Sequence, residues 1–153
     1  MASQQYNFAE MVCFSLYSTS NAMIREYRPQ LDEFNLTYPQ FLVMMSLWNK
    51  DGVFIKELCE QIFLDAGTLT PLLKRLEKKG FILRTKSSLD ERAIVIKLTK
   101  SGLSLKRKTS HIFKNMECKI KLTRMEQEQI TTICNNILSR LTAKNRSNPA
   151  KTA

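Results

Sequence analysis

The sequence predicts a mainly α-helical fold with one small β-hairpin. Apolar residues recur at three- and four-residue steps over most of the 153-residue chain, which is the spacing of one face of a helix. Two short segments, at 81–86 and 93–98, are instead rich in β-branched and other apolar residues, and the polar turn SSLDER separates them. Two capping-box patterns, one in each half of the chain, mark the starts of helices.

The composition is that of a globular chain without a membrane segment. Apolar residues make up 43% and charged residues 25%, both ordinary for a folded domain. The longest near-continuous apolar run, at 41–48, is far too short to cross a bilayer. The first ten residues lack a basic segment followed by a long apolar one, so we expect no signal peptide. A cytoplasmic protein without a membrane partner is therefore predicted.

Two helices are predicted in the N-terminal third. Residues 8–34 carry apolar side chains along one broad stripe, and Pro29 should kink or split that helix. Thr37 and Gln40 fit the capping box T-x-x-Q at the start of a second helix. This helix should end near Asn49, where the sequence KDG follows.

The middle of the chain predicts a helix-turn-helix followed by a two-stranded wing. Residues 55–63 are a short amphipathic helix, LDAGT is a turn, and a further helix should run to Gly80, a good residue just past a helix end. The start of that second helix stays open, because Asp65 and Thr68 are both plausible N-caps. A start at Asp65 would place Pro71 deeper inside the helix, where it removes a hydrogen bond.

The C-terminal third predicts further helices and a tail. The segment LTKSG opens a helix that we expect to reach about Lys121. Thr123 and Glu126 form a second capping box, T-x-x-E, at the start of a last helix that should end near Thr142. The tail at 143–153 is polar and basic, so we expect it to be disordered.

Each end of the chain carries an apolar-striped helix that one small domain cannot fully cover. Such helices pack most simply against a second copy, which predicts a twofold-symmetric homodimer. The predicted organisation is one domain per subunit in four segments: an N-terminal dimerisation and sensor helix at 1–36, a winged helix-turn-helix at 37–100, C-terminal dimerisation helices at 101–142 and the tail at 143–153.

The net charge of +10 is concentrated in one window. Residues 74–108 hold twelve Lys or Arg against three Asp or Glu, a net charge of +9. A positive electrostatic field of this kind indicates a polyanionic partner. Because the same region predicts a helix-turn-helix, double-stranded DNA is the partner expected. The alternative is a solvated basic surface without a partner.

The second helix of a helix-turn-helix enters the major groove by its N-terminal end. The threonine hydroxyls there can approach phosphates or base edges, and Arg75 can contact guanine through two hydrogen bonds. On the wing, Arg92 fits an A·T-rich minor groove and Asp90 can orient it, although an exposed ion pair is the alternative. The predicted DNA-binding residues are Thr68, Thr70, Lys74, Arg75, Arg84, Lys86, Asp90 and Arg92.

The four cysteines do not form a metal-binding pattern. They stand at 13, 59, 118 and 134 without a CxxC pair, and the chain has one histidine, so we expect no metal and no cofactor. A reducing cytosol also argues against a structural disulfide framework. Cys59 and Cys134 lie among apolar neighbours and are expected to be buried and inert. Cys13 is either a packing residue or a reactive thiol.

Three segments together resemble the MarR family, most closely its organic-peroxide-sensing branch and its staphylococcal oxidation-sensing relatives. They are LTYPQFLVMMSLW at 36–48, FLDAGTLTPLLKRLEKKGFI at 63–82 and DERAIVIKLTKSG at 90–102, and the likeness spans about residues 8–141 in order. The resemblance implies a winged-helix dimer that binds a pseudo-palindromic operator and usually represses. It places Thr68, Thr70, Lys74 and Arg75 on the recognition helix and Asp90 and Arg92 on the wing. Ala66 departs from the pattern, since many relatives have serine there.

The resemblance also implies a redox site. Cys13 corresponds to the sensing thiol, which must be a thiolate to attack an organic hydroperoxide or another oxidant. Tyr27 and Tyr38 match two tyrosines of the partner subunit, whose hydroxyls donate hydrogen bonds to that thiolate. Cys118 matches the second cysteine, which forms a disulfide with the oxidised Cys13 of the other subunit. Tyr17 is closer to Cys13 in sequence but is expected to pack in the dimer core.

The sequence therefore predicts a redox-switched transcriptional regulator, most simply a repressor. One alternative within the family is a one-cysteine sensor, in which a small cellular thiol caps the oxidised Cys13. Another is a regulator controlled by a bound ligand, with Cys13 merely buried. A thiol peroxidase is the enzymatic alternative, but the sequence offers no evident general base near Cys13, so an enzyme is not expected.

Overall fold

The computed structural model describes residues 7–87 and 93–146, and it confirms the mainly helical class. The predicted elements follow one another in the order expected, with an additional 3-10 turn and an additional strand, and with one predicted helix divided into two. They are a 3-10 turn at Phe8–Glu10, α1 at Val12–Asp32, α2 at Tyr38–Asn49, β1 at Val53–Phe54, α3 at Ile55–Ile62, α4 at Ala66–Lys78, β2 at Ile82–Lys86, β3 at Ile94–Leu98, α5 at Lys100–Lys108, α6 at Ser110–Ile120 and α7 at Arg124–Arg146.

Helix α1 differs from its prediction at its start and at its proline. The α-helix begins at Val12, since Phe8–Glu10 forms a separate 3-10 turn. The prediction of a split at Pro29 is wrong, because the helix continues to Asp32. Pro29 lies in the last turn, so the one backbone hydrogen bond that it removes does not end the helix. The helix has Glu33 as its C-cap, and the chain turns at Asn35, which has φ of +54°.

Helix α2 begins at the predicted capping box. The backbone N–H of Thr37 donates to Gln40 Oε1 at 3.2 Å, and the Gln40 N–H donates to Thr37 Oγ1 at 3.5 Å. Pro39 lies in the first turn, where its missing N–H costs no helical bond. The helix supplies much of the core through its fully buried Phe41, Val43, Met44 and Leu47.

Helices α3 and α4 and the β2–β3 hairpin form the predicted helix-turn-helix and wing. Helix α4 begins at Ala66 with Asp65 as its N-cap, which settles the open start and leaves Pro71 inside the helix. The turn is therefore shorter than LDAGT. Gly80 has φ of +75° just past the helix, and the next N–H, that of Phe81, donates to Leu76 O.

The sheet has one more strand than the sequence predicted. The strand order is β1-β3-β2, with both pairings antiparallel. Val53 pairs with Ile96, and in the hairpin Ile82 pairs with Leu98. Strand β1 has only two residues and abuts α3, so it carries no alternation that would mark a strand. The loop at 88–92, between β2 and β3, lies outside the described residues.

The C-terminal helices are divided differently from the prediction. The single helix expected to reach about Lys121 is broken at Thr109, a buried residue whose hydroxyl donates to Leu105 O at 3.0 Å. The capping box of Thr123 and Glu126 is confirmed, with N–H to oxygen distances of 2.8 and 3.3 Å. Helix α7 extends to Arg146, so the prediction of a disordered tail is wrong for 143–146.

The helix continues past Thr142 because neither glycine nor proline occurs before Pro149, and alanine, lysine and arginine there favour a helix. The rest of the predicted tail, 147–153, lies outside the described residues.

The chain divides into two compact units, one ending at Lys114 and the other beginning at Asn115. The assignment of a dimerisation and sensor helix to 1–36, a DNA-binding region to 37–100 and dimerisation helices to 101–142 stays a prediction. In the described ranges, no helix is both long and apolar enough to span a membrane.

Candidate functional site

Cys13 lies in the first turn of α1. It is the second residue of the helix and is exposed in the single chain, while the N-cap residue Met11 makes no side-chain hydrogen bond to the turn. The first helical hydrogen bond is from the Ser15 N–H to Met11 O at 3.0 Å. The N–H groups before Ser15 therefore lie at the positive end of the helix dipole, which favours an anion such as a thiolate. The role of Cys13 as a reactive thiol stays a prediction.

The two predicted tyrosines lie against each other. The ring centroids of Tyr27 and Tyr38 are 4.9 Å apart, and Tyr27 also packs on Phe41 at 6.4 Å. Tyr27 is buried, with 8% of its surface exposed, and Tyr38 is half-buried at the start of α2. Burial raises the pKa of Tyr38, so its hydroxyl stays protonated at neutral pH and available as a hydrogen-bond donor.

The tyrosine pair cannot reach the thiol of its own chain. Cys13 and Tyr27 both belong to α1 and are fourteen residues apart. At 1.5 Å of rise per residue, about 21 Å of helix separates them. Any Cys13 thiol that contacts this pair must therefore come from a second subunit, as the family resemblance implies.

The other cysteines are free thiols in different settings. Cys118 is exposed on α6. Cys59 and Cys134 are partly exposed, so the prediction that both are buried is wrong. On α3 the neighbouring Leu58, and not Cys59, takes the fully buried position. Burial, with the charge of Asp65 added, raises the pKa of the Cys59 thiol and favours its unreactive form.

The N-terminal hydroxyls of α4 are used within the helix. Asp65 accepts hydrogen bonds from the Thr68 N–H at 2.8 Å and the Thr68 hydroxyl at 2.6 Å. These bonds lower the pKa of Asp65, so a carboxylate stands at the helix start. Thr70 donates its hydroxyl to Ala66 O at 2.7 Å. Both threonines keep lone pairs, so they can accept hydrogen bonds from base amino groups, while Asp65 repels phosphate there.

The basic residues of α4 and the wing have unequal access to a partner. Lys74 and Arg75 are exposed, and Leu69, Leu73 and Leu76 on the opposite face are fully buried. Lys86 is exposed at the end of β2. Asp90 and Arg92 lie outside the described residues, so their predicted roles on the wing are not tested.

Arg84 is held inside the unit rather than presented on the wing. Its side chain is 17% exposed and lies 3.9 Å from Glu77 Oε2 through one guanidinium nitrogen. Its backbone N–H also donates to Glu77 Oε1 at 3.0 Å. Its Nε is buried and has no hydrogen-bond partner within the described part of the chain. These contacts join β2 to α4 and leave little of Arg84 available to DNA.

Sequence reasoning missed a contact at the other end of α4. The Lys79 ammonium donates to Asn35 O and, at 2.9 Å, to Gln40 Oε1. Desolvation lowers the pKa of Lys79, and the neighbouring Arg75 adds to this. The partners are 44 and 39 residues away in sequence, so no local pattern could have revealed the contact.

One open pocket lies beside α2 and α5. Its volume is about 320 Å3, and its lining includes Met45, Trp48, Lys106 and Phe113. The Trp48 indole N–H donates to Gly102 O at 2.9 Å, which fixes the ring on one wall. Across residues 7–87 and 93–146, no group of three or more His, Cys, Asp or Glu side chains could hold a metal ion.

Comparisons with known proteins give a consistent family. The profile of the family described as transcriptional regulator SarA/Rot matches residues 25–109. An organic hydroperoxide resistance transcriptional regulator of Bacillus subtilis (strain 168) is 46% identical over 101 residues, covering 66% of this chain and 69% of that protein. The HTH-type transcriptional regulator SarZ of Staphylococcus aureus (strain USA300) is 36% identical over 132 residues, covering 86% and 89%.

The fold is also similar to solved structures of AbfR, a protein of Staphylococcus epidermidis. Reduced AbfR bound to DNA has a TM-score of 0.74 and 28% identity, covering 88% of this chain and 94% of that one. The disulfide-formed AbfR has a TM-score of 0.61 and 27% identity, covering 90% and 92%.

Proposed function

Because the chain belongs to the SarA/Rot family of transcriptional regulators, we propose that it is an oxidation-sensing, DNA-binding regulator that releases its operator when Cys13 is oxidised. The predicted likeness to oxidation-sensing MarR regulators is confirmed by the hydroperoxide-resistance and SarZ relatives. This family and fold are those of transcriptional regulators and not of enzymes, so the thiol peroxidase alternative is set aside. The function places the protein in the cytoplasm, with its DNA.

The observation that carries the proposal is the pairing of Tyr27 with Tyr38. The rings of the two phenols lie 4.9 Å apart, so both side chains belong to one site, and phenolic hydroxyls can donate hydrogen bonds to a thiolate. About 21 Å of helix separates Tyr27 from the thiol of its own chain, so in this proposal the thiolate is that of Cys13 of the partner subunit, as the family resemblance implies. In this arrangement the thiolate of one subunit accepts hydrogen bonds from the tyrosines of the other. Its oxidation therefore changes contacts in both subunits.

The redox step follows from thiol chemistry. The Cys13 thiolate attacks one oxygen of an organic hydroperoxide, so that an S–O bond forms and the O–O bond breaks. The sulfur is oxidised to sulfenic acid, and the peroxide is reduced to an alkoxide, which takes a proton and leaves as an alcohol. Cys118 of the partner subunit then attacks the sulfenic sulfur, which forms an S–S bond and releases water.

Closing this disulfide requires the two Cα atoms to come within about 7 Å. If the reduced dimer holds them farther apart, a helix must move, and the two α4 helices leave half-sites that lie about one DNA turn apart. AbfR, whose chain is similar to this one, has been solved in a disulfide-formed state, and this supports a disulfide rather than a further oxidised thiol as the switched state.

The DNA-binding part of the proposal rests on α4 and the wing. We place exposed Lys74 and Arg75 at the operator, with Thr68 and Thr70 accepting hydrogen bonds from base edges. Lys86 is exposed and extends this surface, and we keep Asp90 and Arg92 as operator contacts on the family resemblance. Arg84 contributes through its position between β2 and α4, where it supports the wing.

A homodimer is supported by apolar surface that the single chain leaves uncovered. At the N-terminus this surface includes Val12 and Phe14, which flank Cys13, and Phe8, whose ring packs on Phe14 at 5.3 Å. On α7 it includes Met125, Ile133 and Leu141. Large apolar side chains on two terminal elements are costly in water, and a second copy of the chain covers them by symmetry.

A non-reducing gel tests the disulfide part. After treatment with cumene hydroperoxide, the wild-type chain should migrate as a crosslinked dimer that dithiothreitol reverses, whereas Cys13→Ser and Cys118→Ser should not. Release of DNA by Cys118→Ser without crosslinking, together with a mixed disulfide to an added small thiol, would establish the one-cysteine alternative instead.

The pocket beside Trp48 favours a second candidate, a ligand-gated regulator. Its volume of about 320 Å3 lies at the lower end of small-molecule sites, and its apolar wall and single ammonium group suit an aromatic acid. Salicylate is a suitable probe. If it releases DNA from Cys13→Ser while hydroperoxide has no effect on the wild type, the ligand-gated function replaces the redox one.

A further inference from the structure

The connection between α1 and α2 joins the two tyrosines and is in contact with the C-terminal end of α4. Tyr27 precedes this connection and Tyr38 follows it, and the connection turns at Asn35 with φ of +54°. The Asn35 N–H donates to Asp32 O at 2.9 Å, and the Leu36 N–H donates to Leu31 O at 3.0 Å. The backbone between the two tyrosines is therefore fixed by its own hydrogen bonds.

Lys79 reaches this connection from the C-terminal end of α4. Its ammonium donates to Asn35 O inside the turn and to Gln40 Oε1 just after it. Gln40 is fully buried, and the same Oε1 accepts the Thr37 N–H that completes the capping box of α2. One lysine side chain thus binds both sides of the segment that carries Tyr38.

The surroundings of Lys79 show that this contact is partly withdrawn from solvent. Desolvation lowers the pKa of its ammonium group, and Lys79 is less exposed than the neighbouring Lys78 on the same helix. A charged hydrogen bond in such a setting is stronger than one in open water. Lys79 therefore constrains the end of α4 more than a surface lysine does.

We propose that Lys79 is a positioning residue that couples the Tyr27–Tyr38 pair to the recognition helix α4. A displacement of the pair moves the turn at Asn35 and the capping box at Gln40, and Lys79 transmits that movement to α4. The inference rests on the proposed function, since it names the connection through which oxidation at the tyrosine site reaches DNA. Coupling of this kind acts in both directions, so DNA bound at α4 also changes the environment of the tyrosines.

The test measures the effect of bound DNA on the tyrosines. It uses reduced protein, so it does not depend on oxidation. The chain is labelled with 13C at the ε carbons of tyrosine and titrated with a duplex that the reduced wild type selects from a randomised pool. We expect the Tyr27 and Tyr38 ring signals to shift in the wild type and in the matched control Lys78→Met. In Lys79→Met they should stay at their DNA-free positions, although the duplex binds within about threefold of the wild-type affinity.

Two further variants serve as controls for the effect of Lys79→Met. Lys79→Arg keeps the charge and the donors and should restore the shifts. Lys79→Gln removes the charge but stays polar beside Gln40, and it replaces Lys79→Met if that variant does not fold. Wild-type shifts in the Met or Gln variant would overturn the inference, and so would the absence of any shift in the wild type. Failure of hydroperoxide to release the duplex from the wild type would instead contradict the proposed function alone.

Discussion

The rings of Tyr27 and Tyr38 lie 4.9 Å apart, although eleven residues separate them in the chain. The turn after α1 and the capping box of α2 bring them together through local hydrogen bonds, and Lys79 binds the same connection from α4. Because Tyr27 is buried and Tyr38 half-buried, the pair is a formed feature of the single chain. A second subunit needs to supply only the thiol.

Removing one hydroxyl from this pair should slow the sensing reaction. Tyr38→Phe keeps the ring packing but removes a hydrogen bond to a charged sulfur, so the reaction of Cys13 with cumene hydroperoxide should slow by about tenfold. Stopped-flow kinetics with quantification of the free Cys13 thiol measures this rate. Tyr17→Phe is the control and should react as the wild type does. An unaltered rate in both Tyr27→Phe and Tyr38→Phe would remove the pair from the mechanism.

Neutralising the N-cap of α4 should strengthen DNA binding. Asn is as good an N-cap as Asp, so Asp65→Asn keeps the helix start and removes the carboxylate that repels phosphate. The affinity of the reduced protein for the selected duplex should rise about fivefold at low salt, with a smaller gain at high salt. Fluorescence anisotropy at several salt concentrations measures this change. A weaker complex would mean that the Asp65 carboxylate contacts DNA favourably, for example at a cytosine amino group.

Arg75 should contribute both charge and recognition. Arg75→Ala should weaken binding to the selected duplex by about 1–3 kcal/mol if it contacts a guanine edge, and it should lower the salt slope by about one unit if it contacts phosphate. The same salt titration distinguishes the two. Arg124→Ala removes an exposed arginine at the start of α7 and serves as the control. If both variants bind equally well, α4 does not meet DNA at Arg75.

The capping box of α7 predicts a pH dependence of stability. Hydrogen bonds from the Thr123 hydroxyl and backbone N–H lower the pKa of Glu126 below its ordinary value of 4.5. A carboxylate whose pKa falls on folding adds stability above its unfolded pKa and loses it as the pH falls through the folded value. The wild type should therefore lose stability relative to Glu126→Gln below about pH 4.5. Thermal melts at fixed protein concentration check this, and parallel curves for the two proteins would contradict it.

Features that depend on neighbours in sequence were predictable. The capping boxes of Thr37 with Gln40 and of Thr123 with Glu126 are four-residue patterns, and both helices begin where the patterns placed them. Gly80 marked the end of α4 for the same reason, since a left-handed residue there suits glycine. The pairing of β2 with β3 followed from two apolar segments and the short turn between them.

Features that depend on distant contacts were not predictable. Strand β1 exists because Val53 and Phe54 hydrogen-bond to β3, more than forty residues later. The side chain of Arg84 on β2 lies beside Glu77 on α4, so it is less available to DNA than the sequence suggested. The contact of Lys79 with Asn35 joins two elements whose separation in sequence hides it.

The most direct test of the central claim compares DNA release with the oxidation of one thiol. Reduced protein bound to the selected duplex is titrated with cumene hydroperoxide, and each sample is divided between anisotropy and mass spectrometry of the alkylated cysteines at 13, 59, 118 and 134. Release should rise in proportion to the loss of the free Cys13 thiol, and dithiothreitol should restore binding. Complete oxidation of Cys13 with the duplex still bound would contradict the account.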